Sequence, residues 1–334
     1  MLSGLTSGEK DKTRESTMAQ VDLHTHTTFS DGELSPRQLI LRAAQNGVET
    51  LSITDHDSLE AYSDQLYTYA HEQGVSLIPG VEISTIDSDG TRAHILGYGI
   101  DPSDEKLLES LAEQHLARSA YTAAVCERLV ESGWDINIKQ LLNLTTPITK
   151  AHIARAVIDN PSNSRQIKKL FGEKPTTGLF IESFLIRGRS YYLPVVGMMT
   201  PSQATAVIHQ AGGIASYAHP VANLYEAEVD LAGLEEDIID SGVDGVEAKY
   251  LYHSKRLGDI RIDKSDIFTE LAKRLGLLIT GGSDFHGMSA LYGNYIDVGF
   301  KNSQMIFENQ ILSALKLAIA ARNNGANTVQ LSKT

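Results

Sequence analysis

The chain has 334 residues, with 29 Lys/Arg against 42 Asp/Glu and a formal charge of −13. That length allows about two folding units, or one large α/β barrel with an insertion; a 42% apolar share with 27 Gly and 9 Pro excludes collagen-like, low-complexity and wholly disordered chains. The acidic balance excludes broad wrapping of long duplex nucleic acid, which needs a basic face.

Residues 1–20 are polar and aperiodic, a disordered leader without the apolar stretch of a secretory signal and with Met18 as an alternative start. Beyond them, short β-like runs alternate with helical patterns, the signature of parallel β/α architecture. A strand is expected over 21–25, then a helix over 36–46 capped by Ser35 and opened by Pro36. A strand over 50–54, a helix over 58–73 and strands over 75–83 and 92–98 around a turn at 87–90 follow. From 103 to 193 the periodicity is helical and convincing strands are missing. Alternation resumes with helices over 201–211, 231–241 and 265–275 and strands over 214–217, 245–248 and 277–280. A strand near 295–300 and a helix over 303–322 close the pattern. Gly212, Gly242 and Gly276 stand where left-handed helix ends are expected. No run reaches the ~18 apolar residues of a membrane helix. One cysteine, Cys126, excludes an internal disulfide and a thiolate-rich zinc cluster, so cytoplasm is the default.

The polar signals gather at the ends of the expected strands, the edge where parallel α/β proteins bind ligands. In Asp22-Leu23-His24-Thr25-His26 the period of two puts His24 and His26 on one face, as a chelating pair or merely two surface histidines. Asp55-His56-Asp57, Glu82, His94, His219 and the pair Asp284 and His286 follow at later strand ends. Asp31, in Ser30-Asp31-Gly32, either swings into the same mouth or simply forms a turn. Six histidines and three carboxylates exceed what one ion uses, about four ligands for zinc and six for octahedral metals. The count favours a multinuclear cluster, of Zn, Mn or Fe rather than Ca, and such a cluster suits hydrolysis of a phosphate ester.

At these residues the chain resembles the PHP (polymerase and histidinol phosphatase) superfamily of metal-dependent phosphoesterases. The match runs from about 21 to 290 through Asp22–His26, Thr54-Asp55-His56, Glu82 with His94, Ala218-His219-Pro220 and Ser283–His286. It is most similar to a bacterial subgroup that includes a nucleoside 3′,5′-bisphosphate phosphatase and a 5′-to-3′ oligoribonuclease. The resemblance implies a distorted (β/α)7 barrel over 21–102 and 194–334, with a helical insertion, 103–193, as a lid domain. It implies two to three divalent ions, and a metal-bridging hydroxide attacking phosphorus in line. One ion would be held by His24, His26 and Asp284 and bridged by Glu82, a second by Glu82, His94 and His219, a third by Asp31, His56 and His286.

Asp55 is then a catalytic-site group that orients a ligand histidine, or a helix cap. Arg118, Lys150 and His152 are the lid groups matched to substrate binding in the relatives. Arg118 also reads as a solvated helix charge, and His152 as a cap or core residue. Relatives usually carry Arg or Gly, with a Pro nearby, around the position of Lys150, a departure that bears on bisphosphate preference. His71, His115, His209 and His253 read as structural or solvated, Glu247 as a rim residue without a metal, and Trp134 and Cys126 as core. The implied activity is hydrolysis of nucleotide phosphate monoesters. The rivals are a histidinol-phosphate phosphatase, which the helical lid disfavours, and a non-catalytic metal- or nucleotide-binding module. The partners expected are small phosphorylated substrates, not membranes or long duplexes.

Overall fold

The structure, a computed structural model, describes residues 21–86, 92–144, 146–194, 196–226, 229–254, 260–288, 296–301, 303, 307 and 309–324. The expected leader at 1–20 and the turn at 87–90 lie outside them. Strands β1 (Val21–Asp22), β2 (Thr50–Leu51) and β3 (Ser76–Leu77) form a small parallel sheet in that order. Next come β4 (Gly80–Ile86), β5 (Arg92–Tyr98), β6 (Ile214–Tyr217) and β7 (Gly245–Lys249), then a hairpin of β8 (Leu251–Ser254) and β9 (Ile260–Asp263). With β10 (Leu278–Gly281) these give a five-stranded sheet, ordered β10-β7-β6-β5-β4. β5 runs antiparallel to both β4 and β6, whereas the other pairings in this sheet are parallel. Arg92 and His94, at the start of β5, therefore lie at the edge where its neighbours end.

The chain has the α/β fold of mixed sheets and covering helices, but no closed (β/α)7 barrel forms among the described residues. The two larger sheets meet through isolated parallel bridges, Thr25 with Phe285 and His56 with Glu82. The reason is local. β1 and β2 pair for two residues each before their ends turn polar, and from there single bonds join the sheets. Examples are His26 N–H to Phe285 O at 2.9 Å and Asp57 N–H to Glu82 O at 2.9 Å. The seams thus coincide with the polar mouth.

Helix α1 (Pro36–Gln45) starts as expected, with Ser35 and Gln38 forming a capping box. Its Leu39, Ile40 and Ala43 pack with Leu66 and Ala70 of α2 (Asp64–Glu72) over Leu51 and Ile53. α2 begins six residues later than expected because Ser63, not Ser58, accepts from the first turn, at Leu66 N–H. The strand expected over 75–83 is split at Pro79, which has no N–H for a ladder; the next N–H, of Gly80, goes to the Tyr62 hydroxyl at 2.9 Å.

Between β5 and β6 the described residues are helical, as expected: α3 (Glu105–Glu131), α4 (Ile138–Leu142), α5 (Lys150–Ile158), α6 (Ser164–Phe171) and α7 (Thr177–Phe184). They bury their own apolar cluster, including Trp134, Cys126, Val157 and Phe180. Then come α8 (Pro201–Gln210), α9 (Pro220–Glu226), α10 (Leu231–Ser241), α11 (Ser265–Leu275) and α12 (Asn309–Asn323). The strand expected near 295–300 is instead a short 3-10 turn at Val298–Phe300, where Gly299 takes φ 73°. Residues 304–306 and 308, at the start of the helix expected over 303–322, lie outside the described residues. No helix among the described residues is long and apolar enough to cross a membrane.

Candidate metal centre

All nine residues singled out from the strand ends converge. Glu82, buried on β4, sits at the middle. Its Oε2 faces His24 Nε2 at 3.3 Å, His26 Nε2 at 3.2 Å and His56 Nδ1 at 2.9 Å. Its Oε1 faces His94 Nδ1 at 2.8 Å and His219 Nε2 at 3.0 Å. Asp284 Oδ1 lies 3.3 Å from His24 Nε2 and 3.2 Å from His26 Nε2. On the other side Asp31 lies 3.3 Å from His286 Nε2 and 3.9 Å from His56 Nε2.

The backbone at the strand ends makes this convergence possible. His219 and Asp284 take positive φ, 27° and 53°, and each redirects its chain at the mouth. At Gly282 a side chain is excluded: a Cβ there would lie 2.2 Å from the Cβ of His24. The strand carrying Asp284 can therefore pass directly against the strand carrying His24.

Burial alone would keep Glu82 and Asp31 protonated, but the facing imidazoles hold both well below the usual carboxylate range, and Asp284 is lowered in the same way. Burial likewise lowers His24 and His26, but the carboxylates around them override it. His24 ends well above its ordinary value and His26 is pushed up to about 10. Burial wins at His94, which falls to about 4. The mouth therefore keeps three anionic carboxylates at neutral pH.

This donor set fits divalent cations. Glu82 Oε2 has three imidazole nitrogens within 3.3 Å, yet none meets it at a hydrogen-bonding angle. His24 Nε2 and His26 Nε2 also point at each other, 3.1 Å apart. Ring nitrogens and carboxylate oxygens that converge in this way suit a common ion, and imidazole with carboxylate suits Zn, Mn or Fe. Three groups can each surround one ion: His24, His26 and Glu82; His56, Glu82 and His94; and His26, Asp31, His56 and His286. Of these residues, Asp31, His56, Glu82, His94 and His286 line a cavity of about 330 Å3 reaching to Arg118, Thr149 and Lys150.

The PHP domain model of known families matches residues 22–182. A phosphoribosyl 1,2-cyclic phosphate 1,2-diphosphodiesterase of Eggerthella lenta is 30% identical over 84% of this chain and 98% of its own length. This chain belongs to the PHP family. A 5′-3′ exoribonuclease of Salmonella typhimurium is 32% identical (79% of this chain, 84% of its own), and a 3′,5′-nucleoside bisphosphate phosphatase of Chromobacterium violaceum 31% (80% and 88%). A Bifidobacterium adolescentis structure described as a metal-dependent phosphoesterase superposes with a TM-score of 0.70 at 25% identity, covering 89% of this chain and 96% of the other. The PHP chain is accordingly a metal-dependent phosphoesterase, a hydrolase of phosphate ester bonds.

Three residues of this PHP site hold its frame together. Asp55 meets a ligand histidine through Ser30, whose Oγ lies 3.4 Å from His26 Nδ1. It accepts from Thr27 N–H at 2.7 Å, Thr27 Oγ1 at 2.6 Å and Ser30 Oγ at 2.6 Å, bracing the loop that follows β1. His152 is a cap: its Nδ1 accepts from Thr149 N–H at 3.1 Å. Arg118 reaches the cavity, but its guanidinium is committed to Asp57 and Ser84, and to Ile148 O at 3.2 Å. Lys150 lines the cavity as expected.

Sequence reasoning read Glu247 as a rim residue without a metal and gave it no role toward the histidines. Fully buried on β7, it lies 3.0 Å from His24 Nδ1 and accepts from His219 N–H at 2.7 Å. The signal available was a carboxylate inside the apolar run Val246 to Ala248. Tyr250 was also missed; its hydroxyl donates to Asp284 Oδ2 at 3.1 Å.

Proposed function

We propose that the substrate is a phosphate monoester of a nucleotide, either a nucleoside 3′,5′-bisphosphate or the 5′ end of a short oligonucleotide. One observation carries the reading: Glu82 faces five imidazoles within 3.3 Å at the wall of a 330 Å3 cavity. That volume is at the small-ligand end of binding sites, which favours a mononucleotide or a chain terminus. The relatives named as a bisphosphate phosphatase and an exoribonuclease support it.

In this reading two to three Mn, Zn or Fe ions bind, with His24, His26 and Asp284, with His94 and His219, and with Asp31, His56 and His286. Glu82 is shared between the first two sets. When bound, such ions polarise phosphoryl oxygens and lower the pKa of water at the site. The chain's own residues set the geometry. Glu247 holds His24 so that Nε2 faces the mouth, and Tyr250 fixes Asp284. Lys150, at the start of α5, puts a positive charge at the cavity wall where a phosphate would enter. Residues 103–193 act as a lid domain over the body formed by 21–102 and 194–334. A cytoplasmic setting fits a chain whose one cysteine, Cys126, is free and buried.

The test is to strip the protein with EDTA, reload Mn or Zn, count ions per chain, and follow phosphate release. AMP, adenosine 3′,5′-bisphosphate and histidinol phosphate are compared side by side. Activity should vanish on chelation, return with metal and favour the nucleotides. Loaded protein inert toward both nucleotides refutes the reading.

A further inference from the structure

Arg118 and His152 are occupied within the protein, so recognition of the far end of a substrate needs another group. Arg92 lines the same cavity. It stands two residues before His94 on β5, so the two share one face of the strand, on the order of 7 Å apart. Its guanidinium carbon lies 4.8 Å from the ring centre of Tyr121 and 5.7 Å from that of Tyr192. Such cation–π contacts fix the plane of a guanidinium and leave its in-plane N–H groups unused.

Two of the three guanidinium nitrogens have no hydrogen-bond partner. Arg92 Nε and Nη2 are shut off from solvent and make no hydrogen bond, and the same holds for the Tyr121 hydroxyl and Thr177 Oγ1. Tyr121 (on α3) and Thr177 (the first residue of α7) also line the cavity. Buried guanidinium N–H groups without partners are costly, and native proteins leave few such groups unsatisfied without a function. Four orphaned polar atoms on three neighbouring cavity residues form a donor set for an oxyanion, which the arginine fork can meet with two parallel bonds.

We propose that Arg92, with Tyr121 and Thr177, forms a second subsite that binds an oxyanion of the substrate about one strand repeat away from the reacting phosphorus. The inference rests on the phosphoesterase reading of the cavity and adds to it: the preferred substrate carries two anionic groups, and Arg92 sets that preference. The second group is a terminal phosphate or the next phosphodiester of a short oligonucleotide, which share the same chemistry.

The test compares kcat/KM for adenosine 3′,5′-bisphosphate, a 5′-phosphorylated dinucleotide and AMP in the Mn-loaded enzyme and its variants. A charge-assisted hydrogen-bonding group contributes about 1.5–3 kcal/mol, roughly 10- to 150-fold in affinity. In Arg92→Met the preference for a doubly anionic substrate over AMP should fall by about that factor, mainly through KM. Arg92→Lys, which keeps the charge without the fork, should recover part of it. Tyr121→Phe keeps the ring and removes only the hydroxyl; it should lose a few-fold and carries the test if Arg92→Met does not fold. Loss with the bisphosphate alone identifies a terminal phosphate, and loss with the dinucleotide an internal one; either supports the subsite. An unchanged preference in Arg92→Met, or in Tyr121→Phe if Arg92→Met does not fold, overturns it. Calorimetric titration of metal-stripped protein with adenosine 3′,5′-bisphosphate and with AMP separates this inference from the catalytic one. If no substrate is hydrolysed, the proposed function fails. The subsite then stands if wild type prefers the bisphosphate and Arg92→Met does not, and falls if they bind alike.

Discussion

The sharpest test of the centre is Glu247→Gln, which changes one buried oxygen into an NH2 of nearly the same size. In the native chain one carboxylate oxygen lies 3.0 Å from His24 Nδ1 and the other accepts the His219 N–H at 2.7 Å. A carboxylate only accepts, so it keeps a proton on His24 Nδ1 and leaves Nε2 as the nitrogen that can give its lone pair to a cation. Nε2 is the atom that faces Glu82 and Asp284. A glutamine has one acceptor for these two donors. If its oxygen serves His24, its NH2 meets the His219 N–H, and two donors face each other at a backbone already at φ 27°. If it turns over, His24 must accept at Nδ1 and carry its proton on Nε2, where it cannot bind a cation. Loss of such an orienting partner costs about 10- to 100-fold in metal affinity, or about 1.4–2.7 kcal/mol. The assay is elemental analysis after dialysis against buffered Mn or Zn across a concentration series, with circular dichroism confirming the fold. Wild-type affinity and stoichiometry in the variant would refute the tautomer argument.

Two further outcomes are expected. Asp57 is fully buried against Arg118, so Arg118→Ala should destabilise the fold by about 3–5 kcal/mol in urea unfolding. Pairing it with Asp57→Asn should restore part of that loss; an unchanged midpoint in the single variant would show that Arg118 serves the cavity and not the frame. Burial pushes the Cys126 thiol up to about 11, so a thiol-reactive disulfide reagent at pH 8 should label it only after unfolding. The unfolded chain gives up this proton from about pH 8.5. Stability should therefore fall as pH rises from there toward 11, and this fall should be absent in Cys126→Ala.

The centre was legible in the sequence because most of its members stand where an apolar run turns polar, a pattern that survives without coordinates. His24 and His26 are the plainest case, since the period of two fixes their common face. The helical stretch was legible from periodicity, and its core residues Trp134 and Cys126 from their apolar surroundings. What escaped depends on partners far apart in the chain. Asp57 read only as a carboxylate flanking His56, and its guanidinium partner lies 61 residues on. Arg118 and His152 carried the right chemistry for a lid, but packing spent them on structure. The direction of β5 was also hidden, since seven residues with a strand pattern read alike either way. The seven-residue α9 and the β8–β9 hairpin were too short and polar to stand out from loop.

That reversed strand has a mechanical consequence. Because β5 descends where its neighbours rise, the chain leaves it at the floor of the molecule and must climb again. A seven-residue strand spans about 20 Å. Fourteen residues of helix, the stretch from Glu105 to Arg118, rise by about the same. The helix thus serves as a ruler cut to the height of the sheet, with Gln114 and Arg118 as its graduations, one turn apart and gripping Ser84 and Asp57. Removing one residue below them would swing both by about 100°, so this stretch should tolerate neither insertions nor deletions.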